Sequence, residues 1–402
     1  MAIVKRFYDS ILEDHLNLQR QMAFVSGPRQ VGKTTSCRNI AGHYMNWDNS
    51  DDRAVIVSGP AAVAEKIGLD TISESKRVVL FDELHKFNRW KQFIKGFFDT
   101  YADMVNVLVT GSSRMDIYRR GGDSLMGRYF LYHMHPFSAA ELVFQDIPDT
   151  DRIIRFPGRV SDDDFSALWE YGGYPEPFLK RNARFSRRWQ NLRLQQLLRE
   201  DIRDLTQIHQ LDQLELLVEI LRSRSGGQII YSNLASVIGV SVDTIRRWIA
   251  TLSNLHLGFV VRPWFKNVSR SLRKEPKWFL RDWSLIDDPG SKAETFVACH
   301  LLKAVDAWND TGLGNFKLGY LRDTNQKEVD FIVVRDDQPW FMVEVKNSSR
   351  KLSPALKYFQ EQTLTPFAFQ VVIDAEYQDA DCFSVKGRPV IVPAKTFLSQ
   401  LV

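Results

Sequence analysis

The chain has 402 residues, which at roughly 150 residues per domain points to two or three domains. Hydrophobic residues at 44% and charged residues at 25% exclude a mainly disordered or fibrous polypeptide. Lys plus Arg is 53 and Asp plus Glu is 49, so the net charge is only +4 and any contact with nucleic acid has to come from local clustering. Cys37, Cys299 and Cys382 lie far apart with no CxxC pair, which argues against a zinc site or a disulfide framework and fits a reducing cytosol. The opening MAIVKRFYDSILEDHL lacks the apolar core of a signal peptide. No run approaches the ~20 apolar residues of a membrane helix, so no membrane partner is expected and the location is read as cytoplasmic.

In chain order, Met22–Ser26 reads as a short buried strand that runs into GPRQVGKTT and a helix. Further apolar runs at 77–81, 106–110 and 129–134 alternate with helical stretches, which predicts a parallel sheet covered on both faces. This α/β unit is assigned to residues 1–145. A polar, Pro-bearing stretch, 145–164, marks a boundary, and a helical lid or linker region follows over 146–224. It contains GGYPEPF and eight basic residues between Lys180 and Arg203.

Residues 225–285 have another texture. YSNLASVIGV predicts a two-turn helix, Ser241 is a fitting N-cap for VDTIRRWIATLSNLHL, and Gly258 breaks into the strand FVVRPWF. Helix, tight turn, helix and strand hairpin form the winged helix-turn-helix pattern. Seven basic residues fall between Arg262 and Arg281, against Glu275 alone, and Arg246 and Arg247 on the second helix are placed to reach a groove or phosphates. The last segment, 286–402, predicts a helix, several strands and a further helix, again α/β.

Gly27-x4-Gly32-Lys33-Thr34 fits the P-loop pattern without a gap. Its glycines let backbone N–H groups converge on phosphate oxygens, and the following helix start adds a favourable dipole. Gly27, Pro28, Arg29, Gln30, Val31, Gly32, Lys33, Thr34 and Thr35 are therefore read as the ATP-binding segment. Lys33 is expected on the β- and γ-phosphates and the Thr34 hydroxyl on Mg²⁺. VVLFDE supplies the second half: Asp82 orients Mg²⁺ through water and Glu83 polarises the attacking water. Ser112, after a third strand, is the chosen γ-phosphate sensor. Arg128, in GGDSLMGRYF, is a candidate arginine finger in cis or across a subunit interface, with a loop salt bridge as its alternative.

GPRQVGKTT, VVLFDELHK, VTGSSR, LMGRYFLYHMHPFSAAEL and YGGYPEPF, in this order, resemble the bacterial and archaeal AAA-type ATPases with a winged helix and a C-terminal restriction-endonuclease-like domain. The tail motifs KWFLRDWSLI, EVDFIV and MVEVK agree, although Trp283 stands where that pattern has glycine. The implied fold class is α/β: a P-loop NTPase parallel sheet, a central helical and winged-helix part, and a restriction-endonuclease-like α/β domain.

Asp330 followed by Glu344-Val345-Lys346 fits the D…ExK pattern of that last fold. Strand alternation sets Glu344 and Lys346 on one face with Val345 behind. Asp330, Glu344 and the Val345 carbonyl are candidate Mg²⁺ ligands, and Lys346 would position or deprotonate a water. Glu294 resembles the family's helical acid. The expected function is an ATP-hydrolysing, DNA-binding protein with a metal-dependent nuclease site. The alternative is a nucleotide-dependent switch or scaffold whose nuclease-like domain binds a partner and cuts nothing. A homo-oligomer is left open.

Overall fold

The computed structural model describes residues 5–111, 125–148, 152–198, 210–264, 275–349 and 351–402. The chain divides into two compact units, Met1–His135 with Gln145–Ile147, and Pro136–Phe144 with Pro148–Val402.

The first unit is built on five parallel strands in the order β2-β3-β4-β1-β5. These are β1 (Met22–Ser26), β2 (His43–Asn46), β3 (Arg77–Asp82), β4 (Val105–Thr110) and β5 (Tyr129–His133). Strands buried on both faces need continuous apolar runs, and MAFVS and VLVT supply them. Phe24, Phe81, Phe93, Phe97, Val107 and Trp90 form the core against the sheet. Asp82 pairs in register with Thr110, and Val25 pairs with the same Thr110. The carboxyl ends of β1, β3 and β4 thus lie side by side, the edge at which open α/β sheets bind ligands.

The second unit is mixed. Helix Asp162–Tyr171 is capped by Ser161 and helix Ala183–Gln196 by Asn182. Helix Tyr231–Ile238 ends at Gly239, whose φ of 78° is left-handed, and helix Val242–Asn254 starts at Ser241, whose hydroxyl accepts from the Thr244 N–H. Ile245, Trp248, Ile249 and Leu252 form the buried face of that second helix.

The sheet of this unit has seven strands in the order β12-β11-β10-β9-β8-β6-β7. They are β6 (Gly258–Pro263), β7 (Lys277–Leu280), β8 (Phe316–Arg322), β9 (Glu328–Arg335), β10 (Gln338–Lys346), β11 (Phe367–Val372) and β12 (Pro389–Pro393). β6 and β7, expected as the wing of a separate module, are the edge of this sheet. β6 joins β8 in parallel at Arg262↔Gly319 and Pro263↔Tyr320. The sheet thus runs through the limit drawn at residue 285. Helix Pro289–Asp310 buries Phe296, Val297, Leu301, Ala304 and Trp308. Among the described residues no helix is long and apolar enough to cross a membrane.

Candidate functional site

At the end of β1 the chain turns through residues 27–32 into helix Lys33–Ile40. Gly27 has φ 149°, and a Cβ there would lie 2.2 Å from the Met134 carbonyl oxygen. Gly32, the N-cap, has φ 106°, a conformation that a side chain opposes. The loop therefore exists only because these two positions carry no side chain, and it leads into a helix start whose N–H groups have no partners within the helix.

Lys33 is buried, and its Nζ donates to the carbonyls of Gly27 (2.9 Å) and Pro28 (2.8 Å). Burial lowers its pKa to about 8, against the upward pull of Glu83 and Asp82. Beneath the loop lies a residue that the pattern did not reveal. Arg6, also buried, donates to the carbonyls of Val31 (2.7 Å) and His135 (2.8 Å).

Asp82 ends β3 facing three hydroxyls. Thr34 Oγ1 and Tyr44 OH each donate to Asp82 Oδ2 at 3.0 Å, and Thr110 Oγ1 donates to Oδ1. Burial first, then the Asp82 charge, raises the Tyr44 phenol to about 12 and keeps it a donor. The structure thus brings Lys33, Thr34 and Asp82 together as the spacing predicts, and adds Tyr44 and Thr110. Thr34 and Asp82 present hard oxygens side by side, a donor set that fits Mg²⁺.

Glu83 takes a left-handed φ of 55°, which turns it out of the strand. Its Oε2 lies 3.6 Å from His85 Nε2 and 3.5 Å from Lys86 Nζ. Ser112 lies outside the described residues. Arg128 is not brought to this site. Its carbonyl accepts from the N–H of Met22, at the opposite end of β1 from the loop, and its guanidinium grips both oxygens of Asp99 at 2.7 and 3.0 Å. A finger role in cis has no support in that position; the loop salt bridge is what the structure contains.

In the second unit β9 and β10 form the expected antiparallel hairpin, with Val343 opposite Phe331. Lys346 Nζ donates to Glu344 Oε1 at 2.8 Å, so these two do share a face. Asp330 Oδ2 accepts from the Val345 N–H at 2.8 Å. Glu294 lies on helix Pro289–Asp310. At the centre stands a residue that the sequence offered only as one basic residue among seven. Lys277 Nζ, on β7, lies 2.7 Å from Glu294 Oε1, 2.6 Å from Glu328 Oε1 and 4.0 Å from Asp330 Oδ1. Burial would lower the Lys277 pKa, but Glu294, Asp330 and Glu328 together raise it. Burial raises the Asp330 and Glu344 carboxyls.

The predicted Mg²⁺ ligands do not gather around an open position. Among the described residues no group of three or more His, Cys, Asp or Glu is arranged to hold a metal ion. Glu294 Oε1, Asp330 Oδ2 and Glu344 Oε1 each meet an N–H donor, and Glu344 Oε2 is buried with no hydrogen-bond partner. In this arrangement Glu294, Asp330 and Glu344 do not fit the oxygen shell of Mg²⁺.

An AAA domain model matches residues 19–143, and two domains of unknown function, DUF8612 and DUF4143, match 162–287 and 289–396. Uncharacterized proteins of Mycobacterium bovis and Mycobacterium tuberculosis are each 25% identical over 94% of this chain and 81% of their own length. One of Methanocaldococcus jannaschii is 20% identical over 98% of this chain and 89% of its own. The solved structure of C. elegans PCH-2 aligns over 60% of this chain and 65% of its own, at 14% identity and a TM-score of 0.24. The AAA domain match thus falls on the parallel sheet, the glycine-bounded loop and the Thr34–Asp82 pair, and the DUF4143 match lies toward the C-terminal end.

Proposed function

We propose that the first unit binds ATP with Mg²⁺ and hydrolyses it. The observation that carries this reading is the contact between Thr34 and Asp82 beside a buried Lys33, at the end of a loop that only glycines can form. The segment from Gly27 to Thr35 cradles the phosphates, and the Lys33 ammonium leaves two loop carbonyls for the terminal phosphates. Thr34 and Asp82 would hold Mg²⁺, which neutralises charge on the phosphates. Glu83 orients the attacking water, and Ser112 meets the γ-phosphate. Arg128 serves as a finger only toward a neighbouring subunit, in a homo-oligomer. Titration with a fluorescent ATP analogue tests this. Wild type should saturate, Lys33→Ala should not bind, and Glu83→Gln should bind normally and hydrolyse at least tenfold more slowly. No saturable uptake by wild type sinks the reading.

The helix pair Tyr231–Ile238 and Val242–Asn254 supports a second role, DNA binding. Arg246 and Arg247 are exposed on the second helix, and Arg246 lies over the Tyr231 ring at 4.4 Å. Of the two readings of the second unit, a binding scaffold is favoured over a nuclease, because the Lys277 ammonium pairs with Glu294 and stands 4.0 Å from Asp330, where a metal ion would have to sit. Plasmid incubated with Mg²⁺ or Mn²⁺, with and without nucleotide, should show no nicking beyond that of Asp330→Ala. Nicking that this variant lacks would restore the nuclease reading.

A further inference from the structure

We infer that the carboxylate cluster of the second unit carries its own cation: the Lys277 ammonium fills the space between Glu294, Glu328 and Asp330, and the folded chain takes up no divalent metal through Asp330 while that lysine is present. The inference rests on the scaffold reading of this unit and supplies its physical cause; it is independent of the nucleotide site.

Four acids meet here, Glu294, Glu328, Asp330 and Glu344, from one helix and two strands. Left alone in a partly dry setting they would repel one another and draw in protons or a cation. The chain meets that demand internally. Lys277 Nζ makes contacts of 2.7 and 2.6 Å with Glu294 and Glu328, Arg322 takes the other oxygen of Glu328 at 2.9 Å, and Lys346 takes Glu344 Oε1. Three cations therefore stand against four acids before any ion is added.

The position of the ammonium is fixed by its surroundings. Lys277 is 4% exposed and opposite Val261 in the β6–β7 pair, and its Nζ lies 5.4 Å from the centre of the Tyr320 ring. Tyr320 is itself tied to the Glu275 carbonyl and to Gln228. Glu294 reaches the lysine past Gly226, where an added Cβ would lie 3.0 Å from Glu294 Oε2. The site is thus tailored around the pair of Lys277 and Glu294. A divalent ion requiring oxygens at about 2.0–2.1 Å would have to expel a buried ammonium from two close ion pairs.

The test is Mn²⁺ uptake by the full chain without nucleotide, followed by electron paramagnetic resonance. It compares wild type, Asp330→Asn, Lys277→Met and the double variant. Wild type and Asp330→Asn should take up the same amount of Mn²⁺. Lys277→Met should gain one saturable Mn²⁺ site that wild type lacks, and the double variant should lose it again. Saturable wild-type uptake that Asp330→Asn removes overturns the inference, and so does folded Lys277→Met with no added uptake. The comparison of wild type with Asp330→Asn decides even where Lys277→Met fails to fold. Absence of metal uptake in wild type together with metal-stimulated nicking would sink the scaffold reading and leave the internal cation intact.

Discussion

A methyl group at position 27 would run into the carbonyl of Met134, so Gly27→Ala should cost about 2 kcal/mol or more through forced backbone strain, measured by urea unfolding. Arg6→Ala should cost about 2–4 kcal/mol by removing a buried guanidinium that donates to the Val31 and His135 carbonyls, and should weaken ATP-analogue binding by loosening the loop from below. Lys33, Thr34 and the glycines were legible in the sequence because a phosphate loop is local and its spacing is fixed by one turn and one helix start. Arg6 was not, since its two partners lie 25 and 129 positions away. Tyr44 and Thr110 escaped for the same reason. Their hydroxyls matter only because parallel strands bring them beside Asp82.

Helices and hairpins carried more of their own signature. Ser241 announced the start of helix Val242–Asn254, and its hydroxyl does accept the Thr244 N–H; Ser241→Ala should cost about 1 kcal/mol. If that helix meets DNA, replacing Arg246 and Arg247 by Glu should weaken binding at least tenfold and flatten its dependence on salt, read by fluorescence anisotropy across an ionic-strength series. Unchanged binding would remove this helix from the interface. The hairpin of β9 and β10 was also legible, from its alternation and apolar content. The union of β6 with β8 was not. Among the described residues two residue pairs make it, and so brief a parallel contact leaves no period in the sequence. That junction is why Lys277, counted as part of a basic wing, belongs to the acids of the C-terminal sheet.

At the scale of the whole chain the second unit is held by buried polar groups as well as by apolar packing. Lys303 pairs with Glu141, and His300 accepts the Ala139 N–H at Nε2 while its Nδ1 donates to the Phe296 carbonyl at 2.7 Å. Burial lowers the His300 pKa to about 3. The folded protein therefore keeps it neutral where the unfolded chain would take up a proton. Its contribution is complete above about pH 6.5 and falls as pH drops toward 3, at up to ~1.4 kcal/mol per pH unit. Acid titration of unfolding should show this one-proton component in wild type and lack it in His300→Gln. The shared sheet also governs how the protein can be cut. A fragment begun at residue 286 would discard β6, one neighbour of β8, and with it β7, the strand that brings the Lys277 ammonium to Glu294 and Glu328. Such a truncation would gather like charges around an empty centre and bare the backbone beside Tyr320, inviting clumping in the test tube; a fragment begun before Gln228 keeps both safeguards.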